Sequence, residues 1–396
     1  MKTALIIFFT TISTISPAQK LPYQFSDSIM QHVFNDTSKT GNYYLKATQL
    51  SFIEDYKDAM LMYDSVGYSM KDEKVSEKDS VNFSRYHPVN AHDYIIERAK
   101  NERIIILNEA HHQPRHRVFT ESLLADLYKI GYRFLGCETM DYNKDSLLNA
   151  QKYPVQGTGY YSKQPQYGNM IRTAMDDGYY VFGYESDDSK GKVSPEDREI
   201  QQAQHIKSYL DANPNAKIII HCGYDHISKC DIQWGKTMVQ LVKEYTGIEP
   251  FTIEQTVLTE RGSVPYDDPL YKSIHLKYDA VFMDSTGTLF GSPRGKNCYD
   301  ACVYHPRTIY KHGRPDWVFA NGRQPIFLRG AVTLPFPCMV FVYHDGEDYS
   351  KAVPADIVEL KNEDDANHKA LALGKGDYYI IIRDTHNQTQ VFRTKL

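Results

Sequence analysis

The sequence predicts an α/β protein with a mainly parallel sheet and flanking helices, an N-terminal helical cap and a small all-β C-terminal module. Three observations predict it. From about residue 90 the chain repeats apolar strand, polar turn and amphipathic helix, the pattern of a parallel sheet. Residues 26 to 70 instead carry Tyr44, Leu45, Ala47, Leu50, Phe52, Ile53, Tyr56, Ala59 and Met60 at mixed three and four spacing, as helices do. After about residue 290 short alternating runs take over and no long amphipathic helix is seen. At 396 residues the chain exceeds one ordinary core, so two or three modules are expected.

The first eighteen residues read as a leader for export. Lys2 supplies a positive start, Ala4 to Phe9 an apolar run, and Ser16-Pro17-Ala18 a small-residue cleavage pattern, which places the mature start at Gln19. That run is too short to span a bilayer, and no later window approaches the roughly 20 apolar residues of a transmembrane helix. The expectation is a periplasmic or secreted protein. Residues 19–85 form the helical region, with Gly41 and Gly67 bracketing its second helix and Lys71 to Ser84 read as a solvated linker.

Residues 86–290 form the α/β domain. Ile104 to Leu107 is a buried strand, and Pro114 opens a helix that carries Val118, Phe119, Leu123, Leu124 and Leu127 to its stop at Gly131. Strands follow at Tyr132 to Cys137, Tyr179 to Tyr184, Ile218 to Cys222, Pro250 to Ile253 and Ala280 to Met283. Helices are expected between them, notably at Pro195 to Leu210 and Thr237 to Tyr245. A Gly-, Pro- and Arg-rich connection, 291–325, leads to a β module, 326–396, with strands at Ile326 to Leu328, Met339 to Tyr343, Ile357 to Leu360 and Tyr378 to Ile382.

Composition narrows the function. Hydrophobic residues make up 41%, charged residues 24% and aromatic residues 13%, which excludes collagen, coiled coil and wholesale disorder. A net charge of -5 gives no basic field for phosphates, so nucleic acid is disfavoured. Six cysteines are too few for a disulfide framework. Cys298 and Cys302 could close a small loop or stay as two thiols, and Cys137 and Cys222 read as small core residues.

Ligands of open parallel sheets bind outside the carboxyl ends of the strands. Residues there read Glu109 with His111 and His112, Glu138, Glu185 with Asp187, His221 with His226, Glu254, and Asp284. A single acid after a strand is usually a cap or loop residue. Six strands ending this way argue for a shared site, because crowded carboxylates and imidazoles shift one another's pKa values and suit acid-base or metal chemistry. Arg115, His116 and Arg117 occupy the first turn of the following helix, where positive charge opposes the dipole. They either pair with those acids or line an electropositive mouth. Val281 to Leu289 imitates an aspartyl-phosphate motif but lacks the downstream parallel strands that chemistry needs, and there is no Gly-x-Ser-x-Gly elbow.

The run Ile104-Ile105-Ile106-Leu107-Asn108-Glu109-Ala110-His111, with Pro114 and His116, then Phe134-Leu135-Gly136-Cys137-Glu138 and Gly223-Tyr224-Asp225-His226, resembles the superfamily joining erythromycin esterases, ChaN-like haem-uptake proteins and Tiki-type proteases. The match spans residues 90–260, with Arg198 and Ala203 resembling its Arg-bearing helix. Asn108 stands where that family usually has Gly, and His112 offers a second register beside His111. The resemblance implies a site of Glu109, His111, Glu138, Glu185, Arg198 and His226. His111 or His226 would be the general base and Arg198 would face the oxyanion. A divalent metal on His111, Glu138 and His226 is a variant. The implied substrate is a small molecule or peptide with an ester, lactone or peptide bond. The ChaN-like alternative is a haem or iron binder, for which Tyr160, Tyr161 and Tyr167 are candidate ligands.

Overall fold

The computed structural model describes residues 22–31, 39–66, 72–186, 192–291 and 297–396, so the expected leader at 1–18 lies outside the described residues. Helices α1 (Ser26–Gln31), α2 (Lys39–Phe52) and α3 (Tyr56–Asp64) form the N-terminal region. The single helix expected between Gly41 and Gly67 is two. Glu54 takes a left-handed φ of 60°, and Asp55 then caps α3 by accepting the Asp58 N–H. Neither Gly nor Pro marks the break, so the periodicity runs straight through it. The expected linker also holds a helix, α4 (Glu77–Phe83), capped by Ser76, whose hydroxyl accepts the Asp79 N–H at 3.0 Å. It buries no residue, hence it shows no apolar stripe.

Strand β1 (His87–Asn90) and α5 (Ala91–Ala99) lead into β2 (Ile104–Glu109), α6 (Arg115–Lys129) and β3 (Tyr132–Asp141). Then come α7 (Ser146–Gln151), α8 (Pro165–Asp177), β4 (Tyr180–Glu185), α9 (Pro195–Ala212), β5 (Lys217–Gly223), α10 (Met238–Thr246), β6 (Phe251–Glu254), α11 (Pro269–Lys272), β7 (Ala280–Met283) and β8 (Ala301–Cys302). Six strands form one parallel sheet in the order β4-β3-β5-β2-β6-β8. Its strands are apolar on both faces, as a sheet covered on both sides requires. Ile105, Leu107, Leu135 and Ile219 pack with Leu124 of α6 and Ile171 of α8, while Ile104, Ile106, Ile218 and Ile220 pack with Ile206 of α9 and Val242 of α10.

One strand departs from expectation. β7 pairs antiparallel with β1 in a separate ribbon, and the sixth place in the parallel sheet goes to β8, in the stretch read as a connection. A four-residue apolar run carries no information about its partner. Cys302 lies buried in β8 among Leu258, Phe282 and Tyr304. Neither of the two alternatives considered for Cys298 and Cys302, a small loop or two thiols, is what forms, since Cys298 bonds Cys230, 68 residues away in sequence.

The C-terminal module begins with the short ribbon β9 (Tyr310–Lys311) and β10 (Arg314–Pro315) and continues through β11 (Gln324–Phe327), β12 (Cys338–His344), β13 (Asp356–Leu360), α12 (Glu363–His368), β14 (Ala370–Leu373), β15 (Asp377–Asp384) and β16 (Thr389–Lys395). An antiparallel sheet, β13-β12-β15-β16, is joined by a β11–β14 pair. Alternation along β12 decides its two contacts. Val340 and Val342 face Leu371 and Leu373, whereas Phe341 and Tyr343 face Leu50 and Ile53 of the N-terminal helices. Among the described residues no helix is long and apolar enough to cross a membrane.

Candidate functional site

Parallel pairing brings the carboxyl ends of β4, β3, β5 and β2 side by side. Register then sets the neighbours, with Glu109 opposite Gly223 and Cys137 opposite His221. β3 runs past Cys137 through an irregularity in which Thr139 adopts a φ of 66°, and this bend carries Glu138 over the sheet edge. The result is a cleft of about 820 Å³ lined by His111, Glu138, Glu185, Arg198 and His226, with Tyr160, Tyr161, Tyr224 and Trp234 on its walls.

Glu109 is the buried anchor. Its carboxylate accepts from Arg117 Nε at 2.5 Å and Arg117 Nη2 at 2.6 Å, from His221 Nε2 at 2.8 Å and from His111 Nδ1 at 2.9 Å. Burial pushes the carboxyl up, but the Arg117 guanidinium and these donors win and hold it well below the usual carboxylate range. Thus Arg117 pairs with one of the acids, as its place at the helix start allowed. The bond to Glu109 fixes the proton on His111 Nδ1 and leaves Nε2 as the ring's acceptor on the cleft side. Tyr161 stacks on that ring at 3.6 Å between centroids, and Tyr224 meets it edge-on.

Arg198 is the second hub. Its Nε and Nη2 grip Glu185 at 2.8 and 2.6 Å, and Nη2 also reaches Glu138 Oε1 at 2.5 Å. His226 lies between two carboxylates, with Nε2 3.3 Å from Glu138 and Nδ1 2.7 Å from Glu199, the latter an ionic contact without hydrogen-bond alignment. Burial would lower this imidazole, but Glu138 and Glu199 raise it to about 10, so the ring is charged at neutral pH. Arg198 Nη1 stands only 2.9 Å from Nε2, and the shared Glu138 oxygen holds the two cations together. His226 therefore has no nitrogen free to take up a proton.

The same contacts bear on a metal. Glu138, Glu185 and His226 are already engaged around the Arg198 guanidinium, which sits where a cation would. Among the described residues no group of three His, Cys, Asp or Glu side chains is arranged to hold a metal ion. The candidate set His111, Glu138 and His226 does not fit one. Thiol chemistry is also unsupported here, since Cys137 and Cys222 lie in the cores on opposite faces of the sheet and burial raises both thiols.

Other candidates lie elsewhere. His112 is buried away from the cleft against Tyr63, with ring centroids 3.6 Å apart. Glu254 closes its own loop through Thr256, Val257 and Asn108, and half-buried Asp284 caps a turn through Thr286 and Thr288. Arg115 turns to Pro306 and Asp279. Asp187 lies outside the described residues. Tyr167 donates to the Glu138 carbonyl from the core, whereas Tyr160 is 42% exposed at the cleft. Two partners have no sequence signature. Glu199 is legible only as the neighbour of Arg198, and Gln164 only as the residue before a helical proline.

Gly223 is needed here for its missing Cβ. A Cβ there would lie 2.3 Å from His111 Cε1, 2.6 Å from His111 Nε2 and 3.1 Å from Glu138 Oε2. Gly223→Ala should therefore displace the imidazole and weaken the bond that the Gly223 N–H gives Glu138. We expect a loss of about 1–3 kcal/mol in denaturant unfolding from overpacking. An alanine variant as stable as wild type would show that the close approach is relaxed in solution.

No family model matches the chain, and neither does any curated protein. Among solved structures it is similar in part to the type III effector HopBA1, with 13% identity, a TM-score of 0.32, and coverage of 43% of this chain and 86% of that one. RRSP, a MARTX toxin effector domain from Vibrio vulnificus, shares 11% identity at a TM-score of 0.32, over 55% of this chain and 45% of its own. The C-terminal region of Pasteurella multocida toxin, described as having a thiol-protease like catalytic triad, shares 11% identity at 0.31, over 68% and 34%. At such scores these are slight likenesses and assign no activity.

Proposed function

We propose that the cleft is the active site of an exported hydrolase acting on an ester, lactone or peptide bond, with His111 as the general base. The observation that carries this reading is the Glu109–His111 pair. A buried carboxylate orients the imidazole through Nδ1, and Nε2 is left facing a cleft that also holds Arg198. In the reaction His111 Nε2 takes a proton from the attacking water, and Glu109 stabilises the imidazolium that forms. The positive charges of Arg198 and His226 then face the oxyanion that develops on the substrate carbonyl. Between the two imidazoles first considered as base, the engaged nitrogens of His226 favour His111. The resemblance to the erythromycin esterase, ChaN-like and Tiki superfamily supports the same set of residues, and the Cys230–Cys298 disulfide supports an oxidising compartment.

The test is hydrolysis of a panel of p-nitrophenyl esters, lactones and peptides by the purified protein, with and without EDTA. Turnover that is indifferent to the chelator is expected. Loss of turnover in EDTA, restored by a divalent ion, would overturn the metal-free mechanism. The haem-binding alternative draws on the exposed ring of Tyr160 in the cleft. A stoichiometric Soret shift on haem titration, with no hydrolysis of any substrate, would replace the hydrolase reading with that one.

A further inference from the structure

We propose that Glu54, in the turn between α2 and α3, is a positioning residue for the Glu109–His111 pair, acting through Gln164 and Arg117. The inference rests on the reading of that pair as the reacting centre. Glu54 belongs to no element of the parallel sheet, yet its side chain is only 2% exposed. Gln164 makes the connection. Its Oε1 accepts from Arg117 Nη1 and from the Tyr167 N–H, each at 3.0 Å. With the oxygen so fixed, the amide nitrogen needs an acceptor of its own, and it donates to Glu54 Oε1. Gln166 Nε2 lies 3.4 Å from the same oxygen.

On its other side Glu54 Oε2 is 3.4 Å from Arg314 Nη2, which reaches Asp356 Oδ1 at 2.9 Å. The contacts thus run from β13 of the C-terminal module, through the N-terminal turn, to the imidazole in the cleft. Glu109, Arg117, Gln164, Arg314 and Asp356 are all buried, where a lost hydrogen-bond partner costs more than at the surface. The backbone agrees with this reading. A glutamate at a φ of 60° is less comfortable than Gly or Asn, and what the side chain gains there is this pair of contacts. Without it the Gln164 amide nitrogen loses its acceptor, Gln164 is held only through the donors to its oxygen from Arg117 and Tyr167, and with that looser hold the guanidinium that fixes Glu109 can shift. A displacement of about 1 Å at a reacting group can cost on the order of 100-fold in rate.

Glu54→Gln and Glu54→Leu test this, with Glu359→Gln as control. Glu359 is a second buried carboxylate at the same junction. It accepts the Ser26 N–H at 3.2 Å and takes no part in the contacts above. Two quantities are read: the low-field proton resonance of His111 Nδ1–H in the free protein, and kcat and KM on the hydrolysed substrate. Glu54→Leu should lose or shift that resonance and lower kcat roughly 10- to 100-fold with KM unchanged. Glu54→Gln, which keeps one acceptor, should fall between it and wild type. Glu359→Gln should melt earlier and change neither quantity. If Glu54→Leu does not fold, Glu54→Gln decides. Glu54 variants that keep both the resonance and kcat, whatever their melting temperature, would overturn the assignment. A resonance lost in a protein that hydrolyses nothing would show that Glu54 orders the Glu109–His111 pair and that the hydrolase reading is the part that fails.

Discussion

His111→Ala is expected to lower kcat by roughly two to four orders of magnitude, the range for loss of a general base, while the fold stays in place. The fold should hold because Glu109 keeps three donors, two from Arg117 and one from His221. No buried charge is stranded. The vacated slot lies between the Tyr161 ring and Gly223, open to the cleft, so added imidazole should restore part of the rate. His112→Ala is the comparison. Its ring is buried against Tyr63, and burial with the nearby Arg261 charge keeps it well below the usual histidine range, hence neutral. That variant should lose stability and keep kcat. Full activity in His111→Ala, or a large loss of kcat in stable His112→Ala, would reverse the roles of the two residues.

The contrast shows how far the sequence could be read. Strand positions and their ends were legible because a sheet buried on both faces writes long apolar runs, as at Ile104 to Leu107 and Ile218 to Ile220. From those ends Glu109, His111, Glu138, Glu185 and His226 follow as residues that topology can bring together. What could not be read was pairing at a distance. Nothing in Ala280 to Met283 says that it joins β1 rather than the parallel sheet, and nothing in Cys298 says that Cys230 is nearer than Cys302. The same limit applies inside the site. That Arg117 faces Glu109, that Arg198 sits among Glu138, Glu185 and His226, and that Gln164 joins Glu54 to Arg117 are consequences of packing between elements far apart in sequence. The turn at Glu54 was hidden for a different reason. Its left-handed residue is a glutamate, which carries none of the usual punctuation of a helix end.

Arg117→Met should be the most destabilising single change at the site. The guanidinium is fully buried, lies over the Tyr167 ring at 5.1 Å, and supplies two of the four donors to Glu109. Methionine can fill much of the volume but leaves the carboxylate without its countercharge, a situation that costs about 3–5 kcal/mol. The pH dependence separates that cause from lost packing. In wild type the folded Glu109 carboxyl lies below its ordinary value of 4.5, so its contribution is present above that pH and fades as the pH falls through the folded value. In the variant burial is no longer opposed by Arg117, and the folded carboxyl should instead lie above 4.5. The variant then gains relative stability on acidification, because protonation removes the stranded charge. The difference in unfolding free energy between the two proteins should be largest near neutral pH and should narrow as the pH falls below about 5. Urea titrations of both proteins across that range measure it. A difference that stays constant with pH would mean that Arg117 acts through the packing of its stem and its contact with Tyr167, and that Glu109 finds enough compensation in His111 and His221 alone.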